Sequence, residues 1–337
     1  QTMKPSGKVL NKQQLKMKVD GVSPGGSTNL SGGMMEGYKQ VKSTYKSQRV
    51  NRVLLLSDGL ANKGIVDEYE LRRIAQTKFS EDHISISSFG VGVNFNEKLM
   101  TKIAENGKGN YYFIGSSKEV VTIFKKELNG LASVVAQNSR LQLTYPNEYL
   151  EVSEVYGFNS QMDKNKVKFD YNDIISEEEK TVLVKFKIKK KIDKKLKLAV
   201  KFNFNDVNAN NRKKERRQNL YIEPTDDINK YKDSFSEEVT RNKLLFLANQ
   251  QLEIATNDVD KRDYKKAKEK LKKNLEYLEK EMKKIKPDSA LIRQFKTNQS
   301  YLNNIDKYKR MSISDQKMMQ KRSRYSNYKL KKRKFKK

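Results

Sequence analysis

The stretch NRVLLLSDG, residues 51–59, constrains the chain more than any other: four consecutive apolar residues, Val53 to Leu56, run straight into a polar turn. The run is too short for a buried helix and does not alternate. It therefore reads as a strand covered on both faces, the environment of a parallel sheet layered with helices. Its neighbours agree. Leu30 to Tyr45 has helical spacing, 68–79 predicts an amphipathic helix through Tyr69, Leu71, Ile74, Ala75 and Phe79, and ISISSFGVG (84–92) predicts a second strand. A helix over 97–106, a third strand at NYYFI (110–114) and a closing helix over 117–135 capped by Ser117 complete the pattern. Strands separated by helices of this length predict an α/β layer with a mainly parallel sheet.

The texture changes near Asn138. In RLQLTY, KVKFDY, TVLVKFKIK and LKLAVKFNF the apolar residues fall at every second position, predicting antiparallel strands with one buried and one lysine-rich face, and hence a β-sandwich. Beyond Pro224 helices take over. SFSE (234–237) offers a capping box, a second helix over 264–285 stops at Pro287, and a third runs over 288–308. The segment from Arg310 holds twelve basic residues and one acidic residue and is expected to lack fixed structure. The expected division is thus 1–135 α/β, 136–225 β-sandwich, 226–309 helical and 310–337 a basic, disordered tail.

Composition narrows the chemistry. The 337 residues contain no cysteine and one histidine, His83, which excludes disulfides and thiolate metal sites and argues against imidazole catalysis or a zinc centre. No segment reaches the roughly 18 apolar residues of a membrane span. The formal charge of +30, from 71 Lys+Arg against 41 Asp+Glu, favours an acidic partner: nucleic acid, anionic lipid or an acidic protein surface.

In parallel α/β sheets, ligands bind beyond the carboxyl ends of the strands. Asp58 lies there, with Gly59 letting the chain turn away. The glycine-rich SPGGSTNLSGGM (23–34) precedes a helix and belongs on the same edge, so the Thr28 hydroxyl and the Asp58 carboxylate are expected to face a common cleft. This loop is not a P-loop, since it has no Gly-Lys-Ser/Thr ending, and FGVGV (89–93) lacks the third glycine of a dinucleotide fingerprint. Ser27, Ser31 and Ser57 have no general base at hand, because His83 is expected at the opposite end of the sheet. The acidic pairs Asp67 with Glu68, and Glu177 to Glu179, read as solvated surface.

Taken together, PGGSTNLSGGMMEGY, NRVLLLSDGLANKG and ISISSFGVGVNFNEKLMTKIAENGKGNYYFI, in that order, resemble a bacterial von Willebrand factor type A (vWA) domain over about residues 9–135, of the group followed by a β-rich module. The resemblance implies one divalent cation, usually Mg²⁺ with Mn²⁺ or Ca²⁺ as alternatives, at a metal-ion-dependent adhesion site (MIDAS). Three loops of the family supply its ligands, and Thr28 and Asp58 fall on the second and third. Gly26, Ser27, Asn29 and Gly59 shape those loops. The first loop, Asp-x-Ser-x-Ser, has no counterpart, DSFS at 233–236 having the wrong spacing.

The expectation is therefore a vWA domain lacking its first strand, first helix and second strand, with Val53 to Leu56 at an open edge and an incomplete metal site that binds weakly or not at all. Mg²⁺ demands near-octahedral oxygen coordination, and a site with few charged ligands leaves the ion poor in electrons. A glutamate or aspartate of a protein partner then fills the last position, which implies a non-enzymatic, adhesion-type binding module. The alternative places binding in the basic end, where Lys331, Lys332, Arg333, Lys334, Lys336 and Lys337 hold nucleic acid or acidic lipid and the α/β domain is scaffold.

Overall fold

The computed structural model of the protein describes residues 4–7, 9–23 and 25–332. In chain order the elements of the first part are α1 (Lys12–Asp20), α2 (Leu30–Ser43), β1 (Arg52–Ser57), α3 (Glu68–Asp82), β2 (Ser85–Val91), α4 (Glu97–Asn106), β3 (Lys108–Ile114) and α5 (Ser117–Ala132). Then come β4 (Val134–Thr144), β5 (Leu150–Tyr156), β6 (Ser160–Asp163), β7 (Lys166–Asp170), β8 (Ile174–Ile175), β9 (Leu183–Ile188), β10 (Leu196–Asp206) and β11 (Arg212–Ile222). The helices α6 (Ile228–Asp233), α7 (Glu237–Asp260), α8 (Tyr264–Met282), α9 (Ser289–Tyr308) and α10 (Ile313–Lys331) complete the chain. Two compact units result. One comprises the residues up to Asn138 with Asn172–Ser176 and Asn205–Lys213; the other comprises Ser139–Tyr171, Glu177–Phe204 and Lys214 onward.

The first unit is built on a parallel sheet in the order β1-β2-β3, with Val53 opposite Ile86 and Phe89 opposite Tyr112. β2 is central and buried at Ser85 through Gly90, as a strand covered on both faces must be. β1 is an edge among the described residues, and Leu56 is half exposed. Helices α2, α3 and α4 bury Met34 and Tyr38, Leu71 and Ala75, and Met100 and Ile103. Phe124 of α5 stacks on Phe89, which stacks in turn on Tyr112, with ring centroids 4.7 and 5.0 Å apart. α2 comes close to β1 because residue 37 is glycine: a Cβ there would lie 2.8 Å from the Val53 side chain.

Several local expectations are corrected. Tyr69 is exposed rather than buried on α3. α5 begins after Ser116, which makes no side-chain cap bond, so Ser117 is the first helical residue. α1, capped by Asn11, has no buried residue and so carries no burial pattern from which it could be predicted.

One feature of this unit has no precursor in the sequence pattern. Arg52 opens β1 with its side chain only 5% exposed. Its guanidinium donates to Ser85 Oγ at 2.8 Å, to Glu127 Oε1 of α5 at 3.0 Å and to Asp173 Oδ2 at 2.5 Å. Glu127, 1% exposed, also accepts from Ser87, Asn110 and Tyr112. Burial alone would raise the Glu127 carboxyl. The charge of Arg52 and the hydrogen bonds from Ser87, Tyr112 and Asn110 outweigh it and hold the group down at about 2.

In the second unit two antiparallel arrangements share one core. β4 pairs with β7 and β7 with β6, Leu141 lying opposite Phe169 and Leu143 opposite Val167, while β5 pairs with β9. Leu143, Val167 and Phe169 from the first set, with Leu196 and Leu198 of β10, which lies beside β4 in the same sheet, meet Leu150, Val152, Val184 and Phe186 from the second. The alternation read in the sequence is thus the in-and-out alternation of these strands. β8 pairs with the start of β4, Val134 opposite Ile175, within the first unit.

The helices follow the expected spacing. Leu252, Ala255 and Val259 of α7 pack with Ala267 and Leu271 of α8 and with Tyr301, Ile305 and Tyr308 of α9. The N-cap of α7 is Ser236, whose hydroxyl accepts from the Val239 amide. Ser234 ends α6 instead, which corrects the capping box assigned to it.

The expectation of disorder from Arg310 is also corrected: residues 313–331 form α10. Its attachment is mostly polar. Asn249 donates to the Asn327 carbonyl at 2.9 Å, Asn327 donates back to the Asn249 carbonyl at 3.1 Å, and Tyr301 donates to Gln320 at 2.8 Å. Buried amide hydrogen bonds of this kind fix a helix that apolar periodicity does not announce.

Two outcomes follow. Glu127→Gln removes the charge facing Arg52 and should cost roughly 3–5 kcal/mol in denaturant unfolding. Because the folded carboxyl is depressed to about 2, its stabilisation is present above the ordinary carboxylate pKa and is lost as pH falls toward 2. The gap between wild type and variant should therefore narrow on acidification, and a gap independent of pH would contradict this reading. Asn249→Ala removes the buried amide that donates to the Asn327 carbonyl and should cost about 1–3 kcal/mol. Proteolysis within α10 should quicken accordingly, and unchanged proteolysis would show that the amide pair does not hold the helix.

Candidate functional site

At the carboxyl end of β1 the chain turns through Ser57, Asp58 and Gly59, the Ser57 hydroxyl donating to the Gly59 carbonyl at 3.0 Å. Asp58 is exposed, and its carboxylate makes no hydrogen bond or ion pair among the described residues. The glycine-rich loop comes to the same place. The Thr28 amide donates to Asn62 Oδ1 at 2.7 Å, and the Thr28 carbonyl accepts from the amides of Asn62 and Lys63 at 3.1 and 3.3 Å. These bonds join the loop before α2 to the loop after β1. A Cβ on Gly59 would stand 2.9 Å from Thr28 Oγ1, so glycine is what lets the hydroxyl lie over the residue next to Asp58. Thr28 and Asp58 are therefore brought to one rim, as two oxygen-bearing side chains with no hydrogen-bond partner among the described residues.

The surrounding residues have separable parts. Asn29 caps α2: its Oδ1 accepts from the Gly32 amide at 2.8 Å and from the Ser31 hydroxyl at 3.1 Å. Buried Ser31 accepts from the Ile65 amide at 2.8 Å, a further bond between the two loops. Ser27 is exposed, and Gly26 has open space around it, so that glycine is not required by a close contact. Ser31 and Ser57 are engaged with backbone or amide groups, and no base lies among the partners of either. His83 caps the end of α3 in the left-handed conformation, φ 53°, and is exposed ahead of β2.

The chemistry of this rim is that of a hard cation. A neutral hydroxyl and a carboxylate are the donor types that Mg²⁺ accepts, and two protein oxygens leave most of the coordination sphere to water or to an incoming group. Among the described residues no group of three or more His, Cys, Asp or Glu side chains is arranged to hold a metal ion. Within that limit the residues fit a weakly held divalent cation. Thr28 would give the neutral ligand and Asp58 the charged one.

The basic end is different from expectation. Lys332 is buried, with its ammonium 4.7 Å from the centre of the Phe158 ring, and Lys331 lies 3.7 Å from Glu253. Docking of α10 takes Lys332 out of an open anion-binding surface, which corrects the role assigned to it, while the Lys331 side chain stays 43% exposed at the surface. Arg333, Lys334, Lys336 and Lys337 lie outside the described residues. The Arg52 cluster was missed because its acidic partners are 75 and 121 positions away in sequence. A lone arginine at the start of an apolar run was the only signal. No helix of the described residues is long and apolar enough to cross a membrane.

Comparison with known proteins bears on the fold. The uncharacterized protein YfbK of Escherichia coli (strain K12) is 31% identical over 142 residues, which make up 42% of this chain and 24% of YfbK. The match thus spans about a quarter of that relative's length. A von Willebrand factor type A structure from Catenulispora acidiphila superposes with a TM-score of 0.64 at 12% identity, over 80% of this chain and 64% of that one. Human COPII-coat protein Sec24c does so with a TM-score of 0.54 at 13% identity, over 93% and 44%. At these identities the structural likeness is one of fold. The family model of the von Willebrand factor type A domain matches residues 2–126, and this part of the chain is a vWA domain.

Proposed function

We propose that the protein is a non-enzymatic interaction module, and that the rim carrying Thr28 and Asp58 engages a carboxylate of a protein partner through a divalent cation. The observation that carries this reading is the seating of Thr28 Oγ1 over Gly59, beside an exposed carboxylate that pairs with no cation among the described residues. An unpaired Asp58 in a chain of net charge +30 is the natural first ligand for a metal. The sparse donor set leaves the ion able to accept an Asp or Glu side chain.

Binding rather than catalysis is supported by the engagement of Ser31 and Ser57 and by the position of His83 at a helix end. The competing reading, an anionic surface held by the basic end, loses support from the burial of Lys332.

Thermal melting tests the proposal. With Mn²⁺ or Mg²⁺ at about ten times its dissociation constant, the melting temperature should rise by roughly 3–6 °C over that in EDTA. Asp58→Ala should abolish the rise without lowering the melting temperature in EDTA; an undiminished rise in that variant would refute the assignment. Gly59→Ala offers a second check, because its methyl group would collide with Thr28 Oγ1 at 2.9 Å and push the hydroxyl off the rim. That variant should weaken metal binding while leaving the far-UV circular dichroism unchanged, and wild-type metal affinity in it would remove Thr28 from the site.

A further inference from the structure

One residue grips Thr28 from both sides. Asn62 accepts from the Thr28 amide through its side-chain Oδ1 at 2.7 Å and donates its own amide to the Thr28 carbonyl at 3.1 Å. The Lys63 amide adds a second bond to that carbonyl at 3.3 Å. The two bonds to the carbonyl come from backbone amides and make no demand on the side chains at 62 and 63. The bond to the Thr28 amide does make one. An N–H can only donate, so residue 62 must carry an acceptor of this reach, and the carboxamide must turn its oxygen toward Thr28.

Holding the backbone at Thr28 has a direct effect on its hydroxyl. Oγ1 is one rotatable bond from the main chain, and a β-branched side chain has few choices of χ1. A fixed backbone at this position therefore goes far toward fixing Oγ1, which lies 2.9 Å from where a Cβ on Gly59 would stand. Asn62 is itself exposed, on the loop after β1, and gives its carboxamide to the backbone of another loop. Asn29 shows the ordinary alternative, with its carboxamide spent on the cap of its own helix.

We infer that Asn62 is a positioning residue of the rim: its carboxamide holds Thr28 so that Oγ1 is presented to the cation, and it acts through Thr28 rather than on the ion. The inference rests on the reading of the Thr28 and Asp58 rim as a divalent-cation site. A second tie between the same loops separates positioning from mere cohesion. The Ser31 hydroxyl accepts from the Ile65 amide at 2.8 Å and donates to Asn29 Oδ1 at 3.1 Å, with no bond to Thr28. Preorganised support for a ligand should make Asn62 matter more to metal affinity than Ser31 does.

The test measures Mn²⁺ affinity on the full chain from the loss of the EPR signal of the free aqueous ion. Asn62→Ala should weaken binding about tenfold, the usual scale for losing a residue that orients a ligand. Ser31→Ala should stay within about twofold of wild type, well under 1.4 kcal/mol in binding free energy. Thr28→Val should weaken binding by itself, and adding Asn62→Ala to it should cost nothing more, because the residue being positioned has already lost its hydroxyl. A readout without metal accompanies these. In EDTA, solvent exchange of the Thr28 amide should quicken in Asn62→Ala but not in Ser31→Ala, and Asn62→Asp, which keeps an accepting oxygen, should restore the protection.

Wild-type affinity in Asn62→Ala, an equal loss in Ser31→Ala, an undiminished loss on the Thr28→Val background, or failure of Asn62→Asp to restore protection would each overturn the inference. The wild type and Thr28→Val tell this failure from that of the metal reading. No Mn²⁺ binding by wild type, or full binding by Thr28→Val, defeats the metal reading and the inference with it. Binding that Thr28→Val weakens and Asn62→Ala does not defeats the inference alone.

Discussion

One buried arginine organises the vWA unit. A parallel sheet is stable only when both faces are covered, and Arg52, at the first position of β1, ties that strand to Ser85 on β2, to Glu127 on α5 and to Asp173 in a segment that returns to the unit from far along the chain. A buried ion pair of this kind adds little to net stability against an apolar replacement, yet losing one partner strands a charge in the interior. Its effect is on geometry: with one end of β1 held by charge, the other end delivers Asp58 to the rim in a fixed register with β2.

At that rim the decisive contacts are backbone bonds rather than side-chain chemistry. The Thr28 amide and carbonyl are both taken up by Asn62 and Lys63, which leaves the hydroxyl as the one polar group of the residue still unengaged. The division of labour explains the residue types. Asparagine at position 29 caps the helix, serine at 31 ties the loops and glycine at 59 yields space, while the side chains of Thr28 and Asp58 make no hydrogen bond among the described residues. Side chains free of structural duties on a rigid rim are the ones available for a ligand.

The parts of this fold that were legible in the sequence are those written in short-range periodicity. Val53 to Leu56 announced a strand, though only one of its faces is buried and Leu56 on the other is half exposed; the alternating lysine and apolar residues of 140–204 announced antiparallel strands, and the stripe from Ala267 to Leu278 announced a helix in a packed seam. The failures share a physical cause. α10 is held by asparagine and glutamine bonds to α7 and α9, so its sequence reads as a charged tail. The Arg52 cluster depends on partners a third of the chain away, and Lys332 finds its place against Phe158 through the docking of a helix that composition argued against. The cap of α7 moved by two residues because the preceding serine already ends a helix of its own. Thr28 with Asp58 was reached by topology and resemblance together, since neither residue is distinctive alone.

The central claim is that a threonyl hydroxyl and a single carboxylate meet a divalent ion at the carboxyl edge of the sheet. Paramagnetic Mn²⁺ tests it most directly, because the ion broadens the amide resonances of whatever lies around it. The account predicts that substoichiometric Mn²⁺ selectively erases the backbone signals of Thr28, Asp58, Gly59 and Asn62, and spares those of the Arg52 end of the sheet. Broadening centred on other acidic residues, or spread evenly over the surface, would contradict it.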